Sequence, residues 1–290
     1  MIYLLIVSLV WAFSFGIIKG QLTGLDSNFV AFARMVLSFI IFLPFIRFRK
    51  ISLLNMIRLI FLGMIQFGLM YVAYIFAYQY LQAYQVALFT ILTPIYVTII
   101  NDAIEKRFHL RFLTAAALAI LGSGIIVISD ISWIDLSIGF VLMQISNVSF
   151  AFGQVYYRKL MKNLRDVTDA SVFVYLYFGA VLLTGIFSGI TTDYSNLILT
   201  QRQILSLIYL GVIASGICFF LWNIGARKTN AGTLSVFNNL KIPLAILVSF
   251  IFFKESTDLL KLVLGGLIVF LAILISEKDR ILKQKRISSR

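Results

Sequence analysis

Lys241 stands near the middle of the apolar stretch 232–252, within the run NNLKIPLAILVSFIFF, with Asn238 and Asn239 just before it and Pro243 just after. An ammonium at the centre of a bilayer-crossing helix costs about 2.5–3.5 kcal/mol. Roughly 14 Å of helix separates this one from either end of its stretch, too far for the side chain to reach water comfortably. None of the twelve carboxylates lies inside an apolar stretch. The counter-charge is therefore expected from a ligand, as a carboxylate or phosphate on a small cargo. Pro243 frees a backbone carbonyl one turn back, near Asn239, and irregular backbone at mid-depth is tolerated where it borders a cavity. The competing reading is a neutral lysine bonded to carbonyls or amides.

Other polar residues fall at similar depth. Gln144, Asn147, Ala151 and Gln154 share one helical stripe, and such amides bond either a ligand or a neighbouring helix. Tyr71, Tyr74 and Tyr78 share another stripe, and Trp11 is central in the first apolar stretch. These aromatics serve packing or wall a cavity. Thr93 with Pro94 is the counterpart of the Lys241–Pro243 region, and a helix distortion is expected there. The expected substrate-binding set is thus Lys241, Asn238, Asn147, Gln144, Tyr71, Tyr74, Trp11 and Thr93. Arg34, near one end of its stretch, is expected to snorkel; with Lys19 and Arg158, which end their stretches, it makes a gating or interface set. One histidine, His109, in a polar connector, and one cysteine, Cys218, in an apolar segment, provide no metal cluster, no nucleophile–base pair and no disulfide. Neither catalysis nor a cofactor or metal is expected.

Positioning such residues at mid-depth requires membrane spans. The 290 residues are 61% hydrophobic and 13% charged, too little charge for a soluble surface of this size. Ten spans are drawn at 2–18, 28–46, 59–79, 85–101, 112–129, 137–157, 170–190, 204–225, 232–252 and 259–276. The N-terminus lacks a basic lead and a small-residue cleavage motif, so it reads as a retained first span. Of the 25 lysines and arginines, nineteen fall in the connectors and tail of one side and four on the other; Arg34 and Lys241 are within spans. By the positive-inside rule both termini are cytoplasmic. The net charge of +13 thus reports topology, with no nucleic-acid partner expected.

The two halves resemble each other. WAFSFGIIKG from Trp11 lies over FAFGQVYYRK from Phe150, matching Lys19 with Arg158. FLGMIQFGLMYVAY from Phe61 lies over YLGVIASGICFFLW from Tyr209, and Pro94 lies over Pro243. Five spans is an odd number, so the second copy must enter the membrane inverted, as in alternating-access transporters. The expected organisation is one five-span repeat over residues 1–136 and a second over 137–290 with a basic tail. On these motifs, together with the continuation NIGARKTNAG after Trp222, the chain resembles the bacterial ten-span EamA-type branch of the drug/metabolite transporter superfamily. The resemblance implies an all-α membrane protein in the bacterial inner membrane, with a central cavity opened alternately to each side. It implies a secondary transporter, not an enzyme, of amino acids, amines, carboxylates or other small metabolites, and fixes no substrate. The unpaired Lys241 adds an anionic group (an amino acid, an S-adenosylmethionine-like compound or a carboxylate), and the lack of a span carboxylate favours uniport or exchange. An exporter of amines or drug-like cations is the alternative, ahead of a channel or intramembrane enzyme. The partners implied are the small-molecule substrate and the lipid bilayer; oligomeric state stays open, and a monomer suffices.

Overall fold

The computed structural model describes residues 1–22, 24–47, 51–81, 86, 89–127, 136–164, 167–252 and 259–288. Among these, the regular structure is helical and forms ten rods in sequence. They are α1 (Ile2–Gln21), α2 (Ser27–Phe42), α3 (Leu53–Ala77), α4 (Thr93–Glu105), α5 (Leu110–Val127), α6 (Leu136–Asn163), α7 (Asp169–Thr191), α8 (Gln201–Lys228), α9 (Ala231–Phe252) and α10 (Leu259–Ser288). On length and apolar composition, the segments at α2, α3, α6, α7 and α8 are each sufficient to cross a bilayer. The start of α1 and the Ser276 region of α10 both lie beside the α8–α9 connection, with Lys228 Nζ 4.9 Å from the Tyr3 ring centre and Asn230 Nδ2 donating to the Ser276 oxygen at 3.2 Å; this end of the bundle is here called the terminus end.

Polar residues fix where rods begin. Asp26 accepts the Phe29 backbone N–H at 2.9 Å to cap α2, and Thr200 with Gln203 forms a reciprocal capping box on α8. Lys106, at φ 51°, ends α4 in a left-handed turn.

Besides the 3-10 turn Leu43–Phe45 that ends α2, three irregularities stand out among the described residues. The chain makes a turn at residues 91–92, and α4 starts at Thr93 with Pro94 in its first turn, where a missing N–H costs little. Within α3, Met64–Leu69 is a π-helical segment, and within α8 so is Tyr209–Ile217. α9 runs on through Pro243, so the break expected there is absent and only the local loss of one hydrogen bond remains.

The packing map repeats itself when each helix is exchanged for the one five places on. α5 packs on α10, α2 on α7 and α4 on α9, each a helix on its own counterpart. The α1–α9 contact mirrors α6–α4, α2–α8 mirrors α7–α3, α1–α8 mirrors α6–α3, and α9–α10 mirrors α4–α5. The α5–α9 contact has no comparably extensive mirror between α10 and α4 among the described residues. The two π segments also lie on counterpart helices. This is the arrangement of two five-helix units, inverted because five is odd.

Glycines permit the closest crossings. A Cβ on Gly63 of α3 would fall 1.8 Å from the Leu176 carbonyl oxygen of α7, and one on Gly179 would fall 2.0 Å from the Ile60 carbonyl oxygen. Between α5 and α10, a Cβ on Gly122 would meet the Gly265 carbonyl oxygen at 2.7 Å.

Candidate functional site

A cavity of about 680 Å³, open space at its mouth included, lies between the two halves. Trp11 and Ser14 (α1), Arg34 (α2), Met70, Tyr71 and Tyr74 (α3), Thr90 and Thr93, Ser146, Asn147 and Phe150 (α6), Phe219 (α8) and Lys241 (α9) line it. Its aromatic floor is at mid-depth: the Trp11 ring lies 6.0 Å from Phe150, 5.3 Å from Phe219 and 5.0 Å from buried Trp222. Arg34, Tyr71, Tyr74, Thr90 and Thr93 rise from that floor along the halves of their helices directed away from the terminus end.

Two cations face this space. Lys241 Nζ lies 5.7 Å from the centre of the Trp11 ring and makes no hydrogen bond or ion pair with another described residue. Arg34 is 3% exposed, its guanidinium 4.7 Å from the Tyr71 ring centre. Arg34 Nε donates to Ser215 Oγ at 3.1 Å, Ser215 Oγ and Tyr71 OH share a 3.0 Å hydrogen bond, and Arg34 Nη1 has no partner. Among the described residues, no carboxylate lines the cavity. An arginine and a lysine thus face a cavity that no acid lines among the described residues, an arrangement that suits an anion.

The π segment of α8 explains how Arg34 is held. Its wide turns leave carbonyls free for side-chain donors. Trp11 Nε1 donates to the Ala214 oxygen at 2.8 Å, Ser38 Oγ to the Gly211 oxygen at 2.8 Å, and Tyr177 OH to the Gly216 oxygen at 2.7 Å. Three helices are thereby tied to one irregular stretch beside the cavity. The turn before α4 is held similarly. Asn147 Nδ2 donates to the Phe89 oxygen at 2.8 Å, Asn239 Nδ2 to the Ile91 oxygen at 2.9 Å, and Ser235 Oγ to the Pro94 oxygen at 3.0 Å.

Of the residues named from sequence, Lys241, Asn147, Tyr71, Tyr74, Trp11 and Thr93 line the cavity. Asn238 and Gln144 do not. Asn238 is buried one turn further toward the terminus end, bonded to Gln154 and to the Leu234 carbonyl. Gln144 accepts from Tyr96 OH at 3.0 Å and from Asn147 Nδ2 at 3.3 Å, toward the α4 side. Arg34 is corrected most. It stands eight residues beyond the Asp26 cap, about 12 Å along the axis, and is buried in the cavity wall instead of reaching the surface. Arg158 does sit at a helix contact, its Nη2 3.7 Å from Glu105 Oε1 of α4. Lys19 is on α1, with its side chain outside the described part. At the terminus end, Arg227 of α8 reaches Asp169 of α7 at 3.4 Å, and Tyr157 of α6 donates to the same carboxylate. His109, in the connector between α4 and α5, bonds Asp102 Oδ1 at 2.7 Å through its ring.

The sequence matches the EamA-like transporter family over residues 1–128 and again over 137–277. The chain belongs to the EamA-like transporter family. It is thus a small-molecule transporter of the drug/metabolite transporter superfamily, and not an enzyme. It is 36% identical to the biotin transporter of Escherichia coli K12 and 34% to that of Salmonella typhimurium, over 96% of this chain and 93% of each relative. It is 34% identical to the probable biotin transporter of Pseudomonas aeruginosa, over 96% of this chain and 98% of that one. A solved structure, described only as a protein crystal structure, aligns with a TM-score of 0.78 at 12% identity, covering 95% of this chain and 96% of its own. That likeness carries the fold alone. In this EamA-like chain, sequence reasoning missed Ser14, Arg34, Met70, Thr90, Ser146, Phe150 and Phe219 as lining residues. Of these, Arg34 carried a usable signal: like Lys241, it is a charge within a span that has no span acid to pair with.

Proposed function

We propose that the protein carries a small monocarboxylate of the biotin type across the bacterial inner membrane by alternating access, as uniport or exchange, with both termini cytoplasmic. The observation carrying this reading is the cavity that holds Arg34 and Lys241 and, among the described residues, no acid. Arg34 has a free Nη1 for a carboxylate oxygen, Lys241 supplies a second point charge, and the aromatic floor suits an apolar chain or ring. Amino acids and S-adenosylmethionine add an ammonium or sulfonium to the carboxylate, and nothing lining this cavity neutralises it. Amines and cationic drugs fit worse for the same reason. A monocarboxylate with a neutral polar remainder is the better match, and the names of the bacterial relatives agree with it.

The test is counterflow of labelled biotin into proteoliposomes preloaded with unlabelled biotin. Accumulation is expected, with competition by biotin and none by biotinamide, which keeps the rings and loses the charge. Equal competition by biotinamide, or counterflow of amines in place of biotin, removes the reading. A reporter fused after Arg290 is expected to read cytoplasmic.

A further inference from the structure

Directly beneath the cavity floor is a layer of carboxamides that the carboxylate site does not use. Each stands one helical turn from a cavity-lining residue, on the same helix face and toward the terminus end. In α3, Gln66 follows this rule with Met70; in α6, Gln154 with Phe150; in α8, Asn223 with Phe219; in α9, Asn238 with Lys241. All four are buried. The faces that line the open cavity thus continue as amides through the sealed half.

The amides satisfy one another in two reciprocal pairs. Gln66 Nε2 donates to Asn223 Oδ1 at 2.8 Å and Asn223 Nδ2 returns to Gln66 Oε1 at 3.2 Å, joining α3 to α8. Asn238 Nδ2 donates to Gln154 Oε1 at 3.2 Å and Gln154 Nε2 returns at 3.4 Å, joining α6 to α9. Trp222 Nε1 donates to the same Gln154 oxygen at 2.8 Å and caps the layer. α6 also makes room for one member, because a Cβ on Gly153 would fall 2.1 Å from Gln66 Cγ. As mere adhesive between helices such pairs contribute little. Their chemistry is more specific. Each pair joins an N–H and a C=O edge to edge, and a cyclic urea or lactam offers that same edge.

We propose that Gln66, Asn223, Gln154 and Asn238 are the second half of the cargo site, parted when the bundle opens at the terminus end, and that they take a neutral ureido or cis-amide group of the cargo. This rests on the carboxylate-cargo reading above, which leaves that end of the molecule unrecognised. In the structure's present form the four amides hold the floor shut by occupying each other. On reopening, the cargo group replaces one amide in a pair, and the displaced amide bonds the water admitted at the opened end.

Two measurements test it. The first needs no cargo. In a Cys218→Ser background, Asn223→Cys and separately Gln154→Cys are exposed in oriented vesicles to a water-soluble, membrane-impermeant thiol reagent. Labelling of either from the terminus side is expected, with Thr93→Cys labelled from the opposite side. No labelling of either amide position from the terminus side overturns the proposal. The second uses biotin and 5-(2-thienyl)pentanoate, a carboxylate without the ureido ring, as competitors in counterflow. The wild type is expected to prefer biotin by about tenfold or more, the value of one to two hydrogen bonds. Gln66→Leu/Asn223→Leu, which removes both partners together, is expected to lose most of that preference while thienylpentanoate still competes. An unchanged preference in the double variant overturns the proposal. If neither acid competes in the wild type, the carboxylate reading fails, and the labelling experiment alone decides the amide layer.

Discussion

Each half of the chain contributes one cation to the cavity, but from helices that are not counterparts. Arg34 comes from α2 of the first half and Lys241 from α9 of the second. Ser38 Oγ donates to the Arg34 carbonyl at 2.9 Å, and on the counterpart helix α7 Thr184 Oγ1 donates to the Ala180 carbonyl at 2.8 Å. The counterpart helix α7 carries no lysine or arginine along its whole length. Likewise, the turn of α4 that corresponds to Lys241 carries Thr93 and Pro94. The scaffold is duplicated and the charge is not. On the proposed function, the repeat supplies two gates and the departures from it supply the binding chemistry.

The largest test of the shared scaffold compares two counterpart glycines. A methyl on Gly63 would strike the Leu176 backbone carbonyl, which cannot move without shifting α7. On Gly211 the nearest atom is Leu37 Cδ1 at 2.7 Å, the end of a flexible side chain, with Leu37 Cβ at 2.8 Å behind it. Overpacking costs about 1–3 kcal/mol and more against fixed backbone. Gly63→Ala is expected to abolish folded yield in detergent, and Gly211→Ala to lower it partially. Equal losses would mean that both crossings are equally rigid.

Next come the two cations. A charge-assisted hydrogen bond contributes about 1.5–3 kcal/mol, so Lys241→Met is expected to weaken biotin binding by about ten- to over a hundredfold while inserting at least as well as the wild type. Arg34→Lys keeps charge but loses the planar fork and its stacking on Tyr71, and a loss of about tenfold is expected. Equilibrium binding to purified protein measures both. Normal binding by Lys241→Met would make that lysine structural and leave Arg34 as the anchor.

A smaller effect is expected where the halves meet at the terminus end. The Arg158–Glu105 pair is partly exposed, and such pairs contribute at most about 1 kcal/mol. Arg158→Ala is expected to change the counterflow rate less than about fivefold and leave biotin affinity unaltered. A large affinity change would place Arg158 in the cargo site.

The smallest separates two connectors. The α2–α3 connector is basic, whereas the α7–α8 connector carries Asp193. Hydrogen bonds from the Ser195 side chain, then from Asn196 and the Ser195 backbone, hold the Asp193 carboxyl below its usual range. A lowered folded pKa means that these bonds stabilise the connector above the unfolded value near 4. They are lost as pH falls through the folded value. Amide exchange at Ser195 and Asn196 is therefore expected to lose protection in acid, and Asp193→Asn to remove that pH dependence. Persistence of the pH dependence in the variant would assign it to another group.

Lys241 was legible because the penalty for a charge at mid-span is written in the sequence itself. Arg34 obeyed the same logic, but its depth hung on where α2 begins, and the Asp26 cap is settled by long-range bonds from Thr192 as well as by Phe29. Helical stripes gave the correct face for Asn147 and the wrong neighbour for Gln144, since periodicity fixes a direction around the axis and not what stands opposite. The π segments were unreadable. No proline marks them, and their free carbonyls are used by residues as distant in sequence as Trp11 and Ala214. The Asp169–Arg227 tie joins helices in ways only the folded bundle decides.

The turn before α4 has a consequence for drift. Its three acceptors, the carbonyls of Phe89, Ile91 and Pro94, belong to peptide bonds and survive any side-chain replacement. Their donors, Asn147, Asn239 and Ser235, are side chains and can be erased by one nucleotide change. Beside the local bonds from Thr93 Oγ1 to the Thr90 carbonyl and from Thr98 Oγ1 to the Pro94 carbonyl, the restraint on this segment is thus encoded in other helices, α6 and α9. A saturation scan should find Asn147, Asn239 and Ser235 intolerant although none of them lies in the segment restrained.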